Sequence, residues 1–318
     1  MNGEANYYNK QLGNGLDFVP ILGDEGANPA QIISNVLGIR NRGFEFVLGW
    51  KDRINDNLTY NVSANATFNK NEVTWARSGG ESILGGSVGS QGFVTNSAVG
   101  HPVGSFYVLQ KTGVFNSDAE ASSDPTKYTL SSKGAGNFKY QDVNKDGVID
   151  LNDRVFAGSY QPVAYFGLNA GINYKKRWDF NIGLYGNVGN KVYNGKKAAR
   201  IQGSDNVEKA IVYDRWTPTN LTQKEPAANT GNLPASTYFV ESGNFLRINN
   251  ITIGYTVLQQ SKSTVTNLRI FVTSQNTLTL KKYSGFTSEL PGDPLSAGIE
   301  NTTYPTTRTV AIGVNMGF

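Results

Sequence analysis

The chain has 318 residues, and its 29 Lys and Arg against 25 Asp and Glu leave a charge of +4 spread along the sequence, which gives nucleic-acid binding no compositional support. The lack of cysteine excludes disulfide frameworks, thiolate metal sites and cysteine nucleophiles. A hydrophobic content of 38% and a mean hydropathy of -0.36 are ordinary for a soluble protein, but a membrane barrel needs apolar residues only at alternate positions, and no apolar run approaches the roughly 20 residues of a spanning helix.

The opening residues Met1-Asn2-Gly3-Glu4-Ala5-Asn6 carry neither the basic nor the apolar region of a signal peptide, so for an exported protein the true N-terminal region is expected to be missing. Phe44, Phe46, Leu48 and Trp50 then begin a period of two. From Leu58 the alternation is sustained: Leu58, Tyr60, Val62, Ala64, Ala66 and Phe68 fall on one face, and Thr59, Asn61, Ser63, Asn65, Thr67 and Asn69 on the other. Phe166, Leu168, Ala170, Ile172 and Tyr174 repeat it, and Lys175-Lys176-Arg177 joins them to Trp178, Phe180, Ile182 and Leu184, which reads as a hairpin. Further runs are Ile251, Ile253, Tyr255 and Val257, then Leu268, Ile270 and Val272, and finally Val310, Ile312, Val314, Met316 and Phe318.

Alternation alone fits both a soluble sandwich and a membrane barrel. Aromatic residues at strand ends (Trp50, Tyr60, Tyr174, Trp178, Tyr193, Tyr255) suit interfacial girdles. Short connections at 51–57 and 175–177 contrast with the long polar stretch 194–243, and the chain stops on Phe318 in phase with an apolar face. An all-β, antiparallel transmembrane β-barrel segment of about ten strands is therefore expected, with Leu58, Tyr60, Val62 and Phe68 towards lipid and Asn61, Asn65 and Asn69 towards the interior. Counting directions back from Phe318 makes 39–50, 104–115, 163–174, 245–257 and 307–318 inward strands, and 58–70, 179–192 and 268–280 outward ones. One more outward strand is needed within 116–162, and 137–142 is its best candidate, which puts the loop that follows at the extracellular rim.

That loop, residues 142–153, matches a calcium-binding pattern. Asp142, Asn144 and Asp146 are oxygen ligands at positions 1, 3 and 5, and Gly147 provides the sharp turn at 6. Val148 offers its carbonyl, Asp150 binds directly or through water, and Asp153 stands where Glu is usual. A hard cation wants six or seven oxygens, which this spacing supplies; a structural calcium clip is expected. His101 is the single histidine, without a nucleophile elbow, so neither a serine triad nor histidine-based metal catalysis is expected.

Several stretches resemble the SusC/RagA-type TonB-linked outer-membrane proteins: Asn41-Arg42-Gly43-Phe44-Glu45, Val99-Gly100-His101-Pro102-Val103-Gly104-Ser105-Phe106-Tyr107, Asn137-Phe138-Lys139-Tyr140-Gln141 leading into Asp142, and Arg215-Trp216-Thr217-Pro218. Glu241-Ser242-Gly243-Asn244-Phe245-Leu246-Arg247, Ser274-Gln275-Asn276-Thr277-Leu278 and Tyr283-Ser284-Gly285-Phe286 continue the series in the family's order. Lys145 stands where the family often has Gly, and Val108 follows Tyr107 in place of Gly. The resemblance implies that residues 1–318 are the C-terminal portion of a 22-stranded barrel in the cell outer membrane, without the plug domain and early strands. It implies oligosaccharide or peptide import powered through TonB, with a SusD-like lipoprotein over the extracellular face. The rival reading is a secreted or surface calcium-stabilised β-sandwich, an adhesin or glycan-binding protein. It leaves the in-phase Phe318 and the collinear motifs unexplained.

Overall fold

In the computed structural model, which describes residues 1–20, 31–77, 82–201, 206–228, 230, 231, 233–259, 264–301 and 303–318, the alternating segments form one sheet of eight strands. These are β1 (Asn2–Pro20), β2 (Gln31–Asn55), β3 (Leu58–Ala76), β4 (Ala164–Tyr174), β5 (Trp178–Val188), β6 (Phe245–Gln259), β7 (Asn267–Lys281) and β8 (Thr309–Gly317). Each pairs antiparallel with the next, so the sheet is a meander that forms one continuous wall.

The register explains why the alternation is so regular. Trp50, Val62, Ala170, Ile182 and Ile251 stand opposite one another on β2 to β6, and Tyr60, Ile172, Phe180, Ile253, Val272 and Ile312 form the neighbouring row on β3 to β8. On the other face Ser63, Asn169, Gly183, Asn250 and Gln275 make one row, and Asn61, Gly171, Asn181, Thr252 and Thr273 the next. A slip of one residue would exchange the faces, so the two-sided pattern itself fixes the pairing. The expected facing of Val62 and Asn65 therefore agrees with the register.

Connections at one end of the wall are short. The 174–177 turn closes with the Arg177 N–H donating to the Tyr174 carbonyl at 3.1 Å, and Lys175 and Lys176 adopt φ of +51 and +54. At the other end, the described residues of 77–163, 189–244 and 282–308 fold together into a lobe. Its first part holds a four-stranded sheet of Ser82–Ser87, Phe93–Ala98, Ser105–Leu109 and Arg154–Ser159, and the short helix α1 (Asp118–Ser123); its second holds α2 (Gly195–Arg200) and α3 (Lys209–Asp214). Phe106, Val108, Leu109, Val114, Phe138 and Ile149 from the first excursion pack with Tyr193, Ile211, Trp216, Leu233 and Phe239 from the second.

Two expected wall strands lie in this lobe instead. The 104–115 segment forms Ser105–Leu109 and Lys111–Val114, and 137–142 forms Phe138–Tyr140, all outside the eight-stranded sheet. β3 pairs directly with β4, Phe68 opposite Ala164, which leaves no room for intervening strands. The described wall thus has eight strands where about ten were expected. The count of directions missed this because the two extra strands ran in opposite senses and cancelled. The reverse error occurred at β1, whose alternation is too weakly apolar to be read.

Candidate functional site

The polar face of the wall is rich in amides: Asn61, Asn65, Asn169, Asn181, Asn250 and Gln275 stand in phase on β3 to β7. Such groups both donate and accept hydrogen bonds and carry no charge. Among them sits one bidentate ion pair, in which Arg269 Nε and Nη2 donate to the two Asp179 oxygens at 2.8 and 2.6 Å. The pair lies across Gly254, where a side chain would collide with both partners.

Closer to the lobe, Arg247 on β6 is buried and donates to Tyr185 Oη and Thr279 Oγ1, each at 2.9 Å. It also forms an ion pair with Glu289 of the third excursion, and the Tyr185 hydroxyl donates to Glu289 Oε1 at 2.7 Å. This cluster ties the lobe to the wall through charge-assisted bonds. On β2 and β3, Asn71 Nδ2 donates to Asn41 Oδ1 at 2.9 Å, while Asn71 Oδ1 accepts the Val103 N–H at 2.8 Å, a second tie.

Within the lobe, buried polar groups join the three excursions. Tyr193 Oη donates to Gln91 Oε1 at 2.5 Å, and Gln91 Nε2 donates to the Leu233 carbonyl at 2.8 Å. Glu300 accepts from the Tyr283 hydroxyl and from the Phe286 N–H, and burial pushes the Tyr283 phenol up. Lys111 donates to the Gln223 and Lys224 carbonyls at 2.8 and 2.9 Å, and burial pushes its amine down to about 8.

The 142–153 loop lies in the lobe, at the end where the long connections gather. Asp142 accepts the Lys145 and Gly147 N–H groups at 2.7 and 2.9 Å, Asn144 accepts the Asp146 N–H at 3.0 Å, and Asp146 accepts the Val148 N–H at 2.8 Å. Lys145 has φ +63, a conformation in which Gly would be unstrained, as in the family pattern. The Gly147 and Ile149 carbonyls accept the Lys127 and Thr129 N–H groups, which leaves the Val148 carbonyl outside that pairing. Asp150 and Asp153 do something else. They cap the 151–153 turn reciprocally, and Asp153, fully buried, also accepts the Val143 N–H at 2.7 Å. The residue types at 142, 144, 146 and 148 suit calcium, while the side chains of Asp142, Asn144, Asp146, Asp150 and Asp153 all accept backbone N–H groups. Among the described residues no group of three or more His, Cys, Asp or Glu is arranged to hold a metal ion.

His101 stacks on Phe156 with ring centroids 3.6 Å apart. The sequence reading did not single out Asp179, Arg269, Arg247, Tyr185 or Glu289. The signal for Asp179, Tyr185 and Arg269 was present, since each is a charged or hydrogen-bonding side chain in the polar phase of an alternating strand; Arg247 shares the phase of Ile251 and Ile253 and comes opposite Tyr185 only through the register shift at 248–250, and Glu289 sits in a loop with no such marker.

No family model matches the sequence. The chain is 30% identical over 337 residues to TonB-dependent receptor P26 of Formosa agariphila, covering 99% of this chain and 32% of that protein. It is 26% identical over 300 residues to TonB-dependent receptor SusC of Bacteroides thetaiotaomicron, covering 91% of this chain and 27% of that one. Among solved structures, that of the RagAB peptide transporter superposes with a TM-score of 0.74 at 19% identity, over 99% of this chain and 33% of the other. The RagAB peptide importer in its closed-closed state gives 0.75 at 18% identity, with the same coverage. The chain spans about a third of the length of the curated relatives it matches. Those relatives are named as receptors and transporters, not enzymes.

Proposed function

The chain is a SusC/RagA-like part of a TonB-dependent receptor, and from that premise we propose that it supplies wall and extracellular lobe to an outer-membrane importer of oligosaccharides or peptides. TonB-dependent receptors of this kind are outer-membrane proteins. The observation that carries the reading is the two-faced sheet: an apolar face left uncovered by any second sheet among the described residues, backed by an amide-rich face beneath a folded lobe. Uncovered apolar rows suit lipid, and neutral amides suit a cargo that carries many hydroxyls or peptide groups. A β-sandwich would bury those rows against a second sheet. TonB acts through the remainder of the protein, and a SusD-like lipoprotein covers the lobe.

The test is uptake by cells lacking the full-length gene, complemented with wild type or with Asn65→Leu and Asn169→Leu on the polar face. Slower uptake of labelled oligosaccharide or peptide at unchanged surface level is expected. Unchanged uptake would refute the reading of that face as a transport path.

For the 142–153 loop we propose a structural calcium ion held by the side chains of Asp142, Asn144, Asp146 and Asp153 and by the Val148 carbonyl, with Asp150 joining directly or through water. Its charge would offset carboxylates that repel one another and would stiffen the lobe near the strand Arg154–Ser159. Calcium titration of the full-length protein, with Asp146→Ala as control, should slow proteolysis of the loop in wild type only. Chelator-insensitive proteolysis would reduce the loop to an acidic turn.

A further inference from the structure

The outer, apolar face of the wall ends towards the lobe in a row of rings. Tyr7 opposes Phe44, which opposes Phe68, and the Tyr7 and Phe44 centroids lie 5.2 Å apart. Phe68 and Leu58 are ten residues apart on β3, and Leu58 opposes Tyr174 at the other edge of the band. Ten residues are about 33 Å of strand, which a tilt of about 40° reduces to about 25 Å, the height of a lipid-facing band.

Two residues beyond the rings, Arg42 on β2 and Lys70 on β3 stand directly opposite each other, on the same face and about 7 Å further along. Like charges so placed weaken a strand pair. In the next row Glu72 is bonded to Arg40 at 3.1 Å and also attracts Arg42 and Lys70 from a distance, which offsets only part of their repulsion, and on β1 the neighbour of Arg42 is the uncharged Asn9. Among the described residues neither Arg42 nor Lys70 has a hydrogen-bond or ion-pair partner; Lys70 is exposed and Arg42 half-buried. Rings and cations border a groove of about 300 Å³ lined by Tyr7, Arg42, Phe44, Phe68, Lys70 and Val163.

We propose that this groove docks a phosphorylated lipid of the outer leaflet, with its apolar part on the Tyr7, Phe44 and Phe68 rings and its phosphate between Arg42 and Lys70. The floor is continuous with the lipid-facing band, so the occupant must itself belong to the membrane. The cations stand at headgroup height, where girdle aromatics mark the interface. Arg supplies a planar donor fork and Lys a point charge, a pairing suited to phosphate, and the bound anion relieves the repulsion between them. The proposal rests on the outer-membrane reading above.

The test uses the full-length receptor in mild detergent, titrated with phosphorylated lipid A and read by native mass spectrometry. Wild type should retain the lipid, and Arg42→Gln with Lys70→Gln should weaken retention by roughly thirtyfold, at about a fivefold loss per cation. Arg42→Lys with Lys70→Arg should restore it, and dephosphorylated lipid A should bind wild type as poorly as phosphorylated lipid A binds the Gln variant. Equal retention by wild type and the Gln variant, equal retention of dephosphorylated lipid, or displacement by inorganic phosphate at the affinity of the lipid would overturn the proposal. Insertion into lipid vesicles is measured alongside. Failure to insert would sink the membrane reading, whereas insertion with unchanged lipid A retention would sink the docking site alone.

Discussion

Phe46 in the wall and Phe239 in the lobe are the same residue in opposite circumstances. Phe46 is 43% exposed on the outer face, in a row with Ala66 and Phe166, while Phe239 is 0% exposed among Tyr193 and Tyr238. The pattern is general. Most of the fully buried large side chains, such as Phe106, Phe115, Phe138 and Leu109, belong to the lobe, whereas Phe44, Trp50, Ile253 and Ile312 of the wall stand on the surface. One chain is therefore built for two solvents. The lobe meets water and must make its own core; the wall gives its apolar side chains to lipid and needs only its backbone groups paired.

That contrast predicts where damage is greatest. An isolated eight-stranded wall has open edges on β1 and β8, and each unpaired backbone group facing lipid costs several kcal/mol. Residues 1–318 expressed alone are expected to fail to insert into vesicles as a protease-resistant species. Stable insertion of that segment by itself would break the comparison, because its edges would then have found partners within the chain. The next largest effect separates the regions directly: Phe239→Ala should destabilise the lobe by about 3 to 5 kcal/mol, as for other buried aromatics, and Phe46→Ala should cost the wall much less because lipid refills the space. Limited proteolysis of the lobe in the full-length protein reads the first, and resistance of the barrel to heat in detergent reads the second.

How much could be read from the sequence follows the same division. Seven wall strands were legible because lipid on one side and polar groups on the other force a period of two, as in 58–69. β1 was not, since its outer face mixes Gly3, Ala5 and Asn9 with Tyr7, while its other face carries Tyr8 and Leu12 among Glu4, Asn6 and Lys10. In the lobe, Ser105–Leu109 is buried on both faces, so its apolar residues do not alternate and its type gives no sign of which sheet it joins. The liganding pattern of 142–153 was visible from spacing, but the use of Asp150 and Asp153 as a reciprocal cap depends on a 3-10 turn that the spacing does not encode. The Arg247 and Glu289 pair brings together residues 42 apart and was out of reach for the same reason.

A smaller effect sharpens the distinction between the two faces of the wall. Val62, in the row with Trp50, Ala170 and Ile182, lies within the apolar band, and Val62→Arg should cost about 2 to 4 kcal/mol near the midplane. Asn65→Arg, three residues on but on the amide-rich face, should cost far less. Equal loss of folded protein from the membrane fraction in the two variants would mean that the faces do not meet different media.

The smallest effect belongs to the lobe alone and concerns Lys111. Its ammonium is packed over the Phe138 ring at 4.7 Å and donates to two carbonyls, with burial the main cause of its depressed pKa and the nearby Glu225 carboxylate opposing it. The folded value of about 8 lies below the ordinary 10.5, so between these limits the unfolded chain binds more protons than the folded one. Stability must then rise with pH across that interval, and below about 8, where both states are protonated, the cost of burying the charge is present in full. Partial access of the side chain to water makes the gain modest. Trp216, in the lobe core, is a reporter once Trp50, Trp75 and Trp178 are replaced by Phe. Its urea midpoint should climb from pH 8 to pH 10 in that background and stay flatter when Lys111→Met is added. A wall strand reporter, Trp178 kept in place of Trp216, should show no such dependence on Lys111; if it did, wall and lobe would be unfolding as a single unit.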